Sequence, residues 1–384
     1  MKKICICTTV SLTMKTFVVE TAKYLYENCG YDITLICNED KAFEESLPEY
    51  IHFIPVHMSK GIDFSALSSI KQFIRIFREQ KFDMVQYSTP NAACYASIAA
   101  KIAKVPIRLY CQWGIRYVGL NGLSRMIFKA VEKMVCRNST DIRATSPLNM
   151  EFGLSEGLYK PNNVSVVGHG GTIGVDTKKY DIEKKAIWRK EIREKYGLKD
   201  DEFVFGFSGR ITVDKGCKEL FSAFRKLEET KVGAKLFIVG PMDDNCSIDN
   251  NLVNWAKKSK NVILTGMVDS NEMYKYYSAM DMLIHPTYRE GFGMVIQEAG
   301  ALGVPAITTK IPGASEVMEN GISCILAEPR DAESLYKHMT QIIANTELTT
   351  KLGIAARQRV EKYFERKIML SNQKEDYMNL VEEK

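Results

Sequence analysis

The chain has 384 residues, a length that fits two domains of ordinary size. Hydrophobic residues make up 45% of the chain and charged residues 26%, which excludes a disordered chain, a collagen and a coiled coil. The net charge of +5 is too small to indicate a nucleic-acid partner. No apolar stretch reaches the roughly 18 residues of a membrane span. The ten cysteines are scattered without a C-x-x-C pair, which predicts buried, reduced thiols in a cytoplasmic protein.

Short apolar runs alternate with helical stretches through the first half of the chain. The runs predict strands at 4–10, 33–37, 52–56, 84–88, 107–112, 142–146 and 164–168. Helical spacing predicts helices at 17–28, at 64–80, after residue 88 and at 124–137. This alternation predicts a parallel sheet with helices on both faces.

A polar stretch then leads to a second series of strands and helices. The predicted strands are 203–209, 234–240, 261–266, 281–286, 304–309 and 324–328, and the tail from Asp331 is predicted to be helical. The predicted domains are 1–169, an N-terminal domain; 170–200, a connection; 201–362, a second domain; and 363–384, a C-terminal helix that packs back on the first domain. Two doubly wound, Rossmann-like domains would face a central cleft and bind ligands at the carboxyl ends of their strands.

The first segment with recognisable chemistry is REGFGMVIQE, from Arg289 to Glu298, which follows a strand and opens a helix. Glu290 precedes the helix start, where unpaired N–H groups and the helix dipole favour a phosphate or a sugar hydroxyl. Gly291 and Gly293 allow close backbone approach. Glu298 could accept hydrogen bonds from a ribose diol. A capped helix with a solvent-facing Glu298 fits these residues equally well.

The second segment is GRITVDKG at 209–216, which joins a strand to a helix. Arg210 and Lys215 flank a loop bounded by Gly209 and Gly216, where two cations could clamp a diphosphate. An ordinary exposed loop is the simpler interpretation when this segment is taken alone.

Together these segments resemble the GT-B glycosyltransferases of the large retaining family 4. The order of GRITVDKG, the E-x7-E pair Glu290 and Glu298, EAGALGVPAIT and IPGASEVMENG carries the resemblance. VSVVGHGGTIGVDTKKYD at 164–181 and the stretch 111–140 are similar to bacterial members that extend polysaccharide or lipid-linked oligosaccharide chains.

The resemblance implies that 1–169 is the acceptor-side domain and that 201–362 is the nucleotide-sugar-binding domain. It also implies roles for individual residues. Glu298 would hold the ribose and Glu290 the transferred sugar, while Arg210 and Lys215 would neutralise the diphosphate. The backbone N–H groups of the turn would face the phosphates and the sugar, and the turn after the third strand of the second domain would meet the base. The residues of these two turns are Gly291, Phe292, Gly293, Met267 and Val268.

Two departures from the family pattern concern the first domain. The first strand–helix loop, Thr9–Thr13, lacks the usual glycine pair, and Trp113 replaces a histidine near the sugar. Trp113 is therefore a candidate for stacking on the acceptor, but it cannot exchange protons. His285 is predicted to be a packed histidine at a strand end. The chain has no D-x-D triplet, so no cofactor and no essential metal are expected.

These observations predict a retaining glycosyltransferase of surface polysaccharide biosynthesis that uses a UDP-sugar and a glycan or undecaprenyl-diphosphate-linked acceptor. A nucleotide-sugar epimerase of the same fold is the alternative, and a non-catalytic nucleotide-sugar-binding protein is a second one. Between Lys101 and Arg137 there are eight basic residues and a single acidic one, Glu132. The helix within this stretch predicts either peripheral attachment to the inner, anionic face of the cytoplasmic membrane or a solvated basic face.

Overall fold

The computed structural model describes residues 1–59, 65–231, 233–242 and 247–382. Phe64 in the predicted second helix, Cys246, and Glu383 and Lys384 of the tail lie outside these residues. The chain divides into two compact units. The first contains residues 1–173 and the segment from Lys367 on, and the second contains residues 174–366. Among the described helices, none is both long enough and apolar enough to cross a bilayer.

The first unit contains a seven-stranded parallel sheet in the order β3-β2-β1-β4-β5-β6-β7. Its strands are β1 Lys3–Cys7, β2 Asp32–Cys37, β3 Ile51–Pro55, β4 Met84–Tyr87, β5 Ile107–Gln112, β6 Asp141–Ala144 and β7 Val164–Val166. Alternate residues of β1 belong to two different apolar clusters. Cys5 and Cys7 belong to one cluster, and Ile4 and Ile6 belong to the other. Because side chains alternate along a strand, both faces of the sheet are covered, which confirms the predicted architecture.

Helices of the first unit separate its strands along the chain. They are α1 Ser11–Phe17, α2 Val19–Cys29, α3 Lys41–Glu45, α4 Ser65–Gln80, α5 Pro90–Ile102, α6 Gly122–Asn138 and α7 Pro147–Ser155. The region predicted as one helix at 17–28 therefore contains two helices that meet at Val18. The predicted first strand is also too long, because the chain leaves β1 at Cys7 and turns into α1 after only residues 8–10. Ser11 and Thr13, predicted in the loop, lie in α1.

The second unit contains a six-stranded parallel sheet in the order β10-β9-β8-β11-β12-β13. Its strands are β8 Phe203–Ser208, β9 Ala234–Val239, β10 Val262–Leu264, β11 Met282–His285, β12 Ala306–Thr309 and β13 Cys324–Ala327. The helices between and after them are α8 Lys185–Tyr196, α9 Cys217–Glu229, α10 Asn250–Lys258, α11 Met273–Ser278, α12 Met294–Ala301, α13 Ala332–Ile343 and α14 Thr346–Arg359. Five of these strands lie within one or two residues of their predicted bounds, and β10 is shorter by three.

Helix α8 lies in the stretch predicted as a connection, but it packs within the second unit. Arg193 of α8 is only 1% exposed. Its guanidinium donates to Asp281 Oδ2 at 2.7 Å and to the carbonyl oxygen of Ala279 at 3.1 Å. A buried arginine held by a carboxylate and a carbonyl oxygen fixes the helix to the start of β11.

The last helix, α15 Arg366–Glu382, contributes to the first unit from Lys367 on. Arg143 of β6 forms a two-pronged ion pair with Asp376, with 2.7 Å between Arg143 Nη2 and Asp376 Oδ1. Tyr377 donates a hydrogen bond to Gln86 of β4 and is buried among residues of β1, β2 and β5.

Each sheet has one point at which the strand order reverses. It lies between β1 and β4 in the first sheet and between β8 and β11 in the second. Helices leave the sheet in opposite directions on the two sides of such a point, so a crevice opens at the carboxyl ends of the two strands. In the second sheet, the loops that border this crevice carry the acidic and basic residues singled out above.

Candidate active site

Two loops meet at the carboxyl ends of β8 and β11. The first runs from Gly209 to Gly216 and the second from Pro286 to Gly293. Gly216 has a φ of +72°, and a Cβ atom added there would lie 1.9 Å from the carbonyl oxygen of Pro286. The N–H of Tyr288 also donates to the carbonyl oxygen of Asp214 at 2.9 Å. The glycine therefore permits backbone contact between the two loops.

Three donors hold the carboxylate of Glu290. Lys215 Nζ and His285 Nε2 each lie 2.9 Å from Glu290 Oε2, and the N–H of Gly291 lies 3.1 Å from Oε1. Glu290 is therefore ordered by a cation from the first loop, an imidazole from the end of β11 and the backbone N–H of the next residue.

The electrostatics of this cluster keep Glu290 charged. Burial raises the pKa of Glu290, but the hydrogen bond from His285 and the charge of Lys215 outweigh burial and hold that pKa well below its usual range. For His285, burial has a larger effect on the pKa than the neighbouring charges have. Burial lowers its pKa, and the attraction of Glu290 only partly compensates. The pair is thus an anionic carboxylate beside a neutral imidazole at neutral pH.

The turn before α12 presents its backbone to the crevice. Within the described chain, the N–H groups of Phe292 and Gly293 donate to no protein acceptor. The Phe292 ring is buried against Phe364, with 5.4 Å between ring centroids, and Gln297 Nε2 donates to the carbonyl oxygen of Phe292 at 3.0 Å. The side chains thus anchor the turn from inside, and two N–H groups remain at a helix start, where anions bind.

A third loop supports this turn from behind. Gly313 has a φ of +82°, and a Cβ atom there would lie 2.3 Å from the carbonyl oxygen of Gly291 and 2.6 Å from that of Glu290. The segment IPGAS, part of the predicted family pattern, therefore packs directly on the backbone that carries Glu290.

Glu298 lies further along α12 with two tyrosines around its carboxylate. Tyr277 Oη donates to Glu298 Oε2 at 2.8 Å, and Tyr180 forms a second side-chain hydrogen bond with the same carboxylate. Tyr277 also contacts Ser208 at the end of β8, with 3.2 Å between the hydroxyl oxygens. Burial raises the pKa of Glu298, and the two tyrosine hydroxyls only partly oppose this. Glu298 is half-buried, and its carboxylate is held by the two tyrosine hydroxyls.

The remaining predicted donor-binding residues lie around the same edge of the sheet. Arg210 is exposed at the start of the first loop. Gly209 has a φ of +143°, and the backbone of the neighbouring loop approaches it so closely that a Cβ atom on Gly240 would lie 2.1 Å from its carbonyl oxygen. Met267 is 81% exposed and Val268 half-buried, both in the turn after the edge strand β10.

Trp113 belongs to the first unit and follows β5. Its ring lies against that of Phe17, with 5.4 Å between centroids, and it is half-buried. It lines a small pocket together with Arg143, Gln373 and Asp376. Trp113 therefore shares this pocket with Arg143 and Asp376, the ion pair that holds α15.

Sequence reasoning missed three partners of the glutamates. His285 was predicted to be a packed histidine at a strand end, and its hydrogen bond with Glu290 was not predicted. Tyr180 and Tyr277 come from the segment before α8 and from α11, far from Glu298 in sequence. His285 carried a usable signal, because it ends a strand five residues before Glu290. The tyrosines carried none.

Two family models together match most of the chain. The model described as "Glycosyl transferases group 1" matches residues 189–359, and the model described as "Glycosyl transferase 4-like" matches residues 3–146. The capsular polysaccharide biosynthesis glycosyltransferase CapM of Staphylococcus aureus is 30% identical over 353 residues, 92% of this chain and 91% of CapM. The chain belongs to the group 1 glycosyltransferases. It is therefore a glycosyltransferase of EC class 2.4, and the predicted family is confirmed.

Other relatives of this group 1 glycosyltransferase agree. UDP-Gal:alpha-D-GlcNAc-diphosphoundecaprenol alpha-1,3-galactosyltransferase of Escherichia coli is 24% identical, with 83% of this chain and 81% of that protein covered. The crystal structure of a glycosyltransferase from Rickettsia africae superposes with a TM-score of 0.80 at 22% identity, covering 100% of this chain and 99% of that one. This likeness confirms the GT-B fold.

Proposed function

We propose that this enzyme transfers a sugar, with retention of configuration, from a UDP-sugar to a hydroxyl group of a lipid-linked oligosaccharide in surface polysaccharide biosynthesis. One observation carries the proposal. Lys215, Glu290 and two N–H groups that have no acceptor in the described chain lie together at the start of α12, while Glu298 lies on the same helix between two tyrosines. This arrangement offers separate partners for a diphosphate, a sugar and a ribose.

The diphosphate would lie between the cations and the helix start. Lys215 is a mobile point charge, and Arg210 presents a planar, two-pronged donor from the exposed end of the same loop. The N–H groups of Phe292 and Gly293 add the positive end of the dipole of α12. These groups would stabilise the charge that develops on UDP as the glycosidic bond breaks.

Departure of UDP would create an oxocarbenium-like centre on the sugar. The acceptor hydroxyl would attack from the face that UDP leaves and pass its proton to a departing phosphate oxygen, so no protein nucleophile is required. Glu290 would orient the sugar and balance the positive charge. Positioning and electrostatics would supply most of the rate enhancement.

Recognition of the nucleoside would use the other end of α12. Glu298 would accept hydrogen bonds from the ribose hydroxyls, with Tyr277 and Tyr180 fixing the orientation of its carboxylate. Met267 and Val268 would border the base. UDP as the nucleotide is supported by the donor that the name of the E. coli relative prints.

The acceptor is assigned to the first unit, with Trp113 as the candidate for stacking. A lipid-linked acceptor is supported by the diphosphoundecaprenol substrate in the name of the E. coli relative and by the capsular role in the name of CapM. Such an acceptor is held at the cytoplasmic face of a membrane, and one helix of the first unit has a surface that fits this location.

That helix is α6, and its N-terminal half exposes apolar side chains. Leu123 is 70% and Met126 67% exposed, with Ile127 beside them. Two of the basic residues counted between Lys101 and Arg137, Lys133 and Arg137 itself, lie further along the same helix. The apolar residues further along instead pack against the core, among them Phe128, Val131 and Met134. An exposed apolar end followed by basic residues is the pattern of a helix that rests in an anionic lipid headgroup layer.

A panel of nucleotide diphosphate sugars tests the proposed reaction, with released nucleotide as the readout. Each donor is assayed with undecaprenyl-diphosphate oligosaccharides, with free sugars and with no acceptor. We expect UDP release that depends on the lipid-linked acceptor and an α-linked product. A new UDP-sugar formed without acceptor would instead identify the enzyme as an epimerase and contradict the proposal.

A further inference from the structure

We infer that His285 is a positioning residue for Glu290, and that it acts as a neutral imidazole whose proton resides on Nε2. This inference rests on the proposed function in one respect, namely that Glu290 orients the transferred sugar. It goes beyond that function because it assigns a role to a residue outside the E-x7-E pair.

In the part of the chain that the structure describes, the imidazole of His285 has one hydrogen-bond partner, Glu290. Its side chain is 2% exposed, and its Nε2 lies 2.9 Å from Glu290 Oε2. The other ring nitrogen, Nδ1, is buried and has no hydrogen-bond partner in the described chain. A doubly protonated ring would bury an unsatisfied N–H donor at Nδ1, at a cost of about 1–3 kcal/mol. A neutral ring protonated on Nδ1 would leave Nε2 without a proton to donate to the carboxylate. The tautomer with the proton on Nε2 satisfies both conditions.

The need for this donor follows from the position of Lys215. Lys215 and His285 share the oxygen Oε2 of Glu290, but Lys215 is also the cation assigned to the diphosphate. When the ammonium group turns toward a bound diphosphate, its hold on Glu290 weakens. The imidazole is fixed at the end of β11, where Thr308 Oγ1 donates to the carbonyl oxygen of His285 at 3.1 Å. His285 therefore keeps Glu290 in place when the cation is engaged elsewhere.

The charges around His285 favour the same protonation state. In the described chain, Glu290 and Lys215 are the charged groups that act on it, the first from the following loop and the second from the loop after β8. Glu290 attracts a proton to the ring, whereas burial and Lys215 disfavour one. The donor function therefore persists across neutral pH, which a proton-exchanging residue would not show.

Two substitutions separate a positioning role from a packing role. Glutamine carries a terminal amide that can reach the position of Nε2 and donate to Glu290, whereas leucine fills the cavity without a donor. We expect His285→Leu to lower kcat about 10- to 100-fold, less than the loss of a direct charge contact, and His285→Gln to recover a substantial part of this loss. The Kd of UDP stays within about twofold in both variants, since neither residue contacts the nucleotide. His338→Leu in α13 is the matched histidine control and keeps wild-type kcat.

Nuclear magnetic resonance on the ligand-free protein tests the inference without any enzyme assay. The ¹⁵N shifts of His285 should report a neutral ring protonated on Nε2 throughout neutral pH. The ¹³C resonance of the Glu290 carboxyl group should titrate at higher pH in His285→Leu than in wild type, because a donor to the charged form is lost.

A charged or Nδ1-protonated ring, or an unchanged Glu290 titration, would overturn the inference. Equal kcat losses in the glutamine and leucine variants would also overturn it. If wild type transferred no sugar at all, the proposed function would fail and these spectra would still decide the role of His285.

Discussion

Lys215 bridges the two loops of the donor site, since its ammonium group lies 2.9 Å from Glu290 while its backbone belongs to the loop after β8. Arg210 occupies the other end of that loop. We expect Lys215→Ala and Arg210→Ala each to lower kcat by roughly 10²–10³, the cost of removing one charge contact to a developing anion. Steady-state kinetics and thermal unfolding measure the two effects separately.

Lys218→Ala is the control for these two variants, because Lys218 is exposed three residues further along, on α9. It should keep wild-type kinetics. Near-normal turnover in both Lys215→Ala and Arg210→Ala would contradict the assignment of the loop to the diphosphate.

Glu298 and Glu290 differ in their surroundings and should differ in what they bind. Glu298→Gln should weaken UDP binding by about tenfold, because its carboxylate is the proposed partner of the ribose and a charged hydrogen bond contributes roughly 1.5 kcal/mol or more. Glu290→Gln should lower kcat with a smaller effect on UDP. Calorimetry with UDP measures the first effect, and exposed Glu229→Gln is the control. Unchanged UDP affinity in Glu298→Gln would remove the ribose role.

The lowered pKa of Glu290 predicts that the free energy of unfolding depends on pH. The pKa of Glu290 is lowered in the folded protein, so the carboxylate stabilises the fold above its unfolded pKa of about 4.5 and loses this contribution as pH falls toward the folded pKa. We expect Glu290→Gln to unfold about 1–3 kcal/mol more easily at pH 7 and this difference to shrink below about pH 4.5. Urea unfolding of both proteins across this range measures the change. A difference that does not vary with pH would show that the ionised form is not the stabilising one.

At the scale of whole elements, three loops after parallel strands build the donor site. Gly313 permits the loop after β12 to touch the backbone of Glu290 and Gly291. Gly313→Ala would place its Cβ atom against that backbone, so we expect kcat to fall about tenfold or more as Glu290 shifts. Gly321 also has a positive φ, +77°, but among the described residues beyond its chain neighbours no atom lies within 4 Å of the added Cβ. Gly321→Ala carries the same backbone strain of roughly 1–2 kcal/mol and should keep its kcat. Equal kinetics in the two variants would mean that the loop contact does not position Glu290.

The strands were predictable because each is a short apolar run between turn residues, and the helices on both faces followed from the alternation. The break between α1 and α2 was not predictable, since Val18 interrupts neither the apolar pattern nor the helix propensity.

At the donor site, the sequence pattern identified the charged residues but not which side chains contact one another. Lys215 reaches Glu290 across 75 residues, and Tyr180 reaches Glu298 across 118, distances over which spacing carries no information. Only His285, five residues from Glu290, lay within reach of local reasoning.

At the scale of the whole molecule, the two sheets share a topology but differ in the chemistry at their reversal points. The crevice between β8 and β11 carries charged side chains. The corresponding crevice between β1 and β4 carries hydroxyl groups, with 2.8 Å between the hydroxyl oxygens of Thr9 and Thr89. Thr89 has a φ of +66°, an unusual conformation for a residue with a branched Cβ. Such hydroxyl groups can form hydrogen bonds with a glycan, which supports assigning the acceptor to the first unit.

A lipid-linked acceptor requires the enzyme to work at a membrane surface, and α6 offers the surface for a test. Lys129 is a poor probe, because it lies 2.5 Å from Glu156 and the pKa of Glu156 is lowered chiefly by that contact. Lys133→Glu with Arg137→Glu reverses two charges outside this pair. Because a basic residue near an anionic bilayer contributes about 1 kcal/mol and the two glutamates add repulsion, we expect this double variant to bind anionic vesicles at least about 30-fold more weakly than wild type.

Sedimentation with phosphatidylglycerol vesicles at low and high salt measures the effect. Wild type should pellet at low salt and be released at high salt, since screening removes the attraction. Leu123→Ser with Met126→Ser should reduce binding at low salt although it changes no charge, because the apolar contribution is lost. Lys71→Glu with Arg75→Glu in α4 makes the same charge change on exposed residues of another helix and should pellet as wild type does. All variants should bind UDP normally. If the α6 and α4 charge variants pelleted alike, α6 would be an ordinary solvated helix and the case for a membrane-held acceptor would lose its structural support.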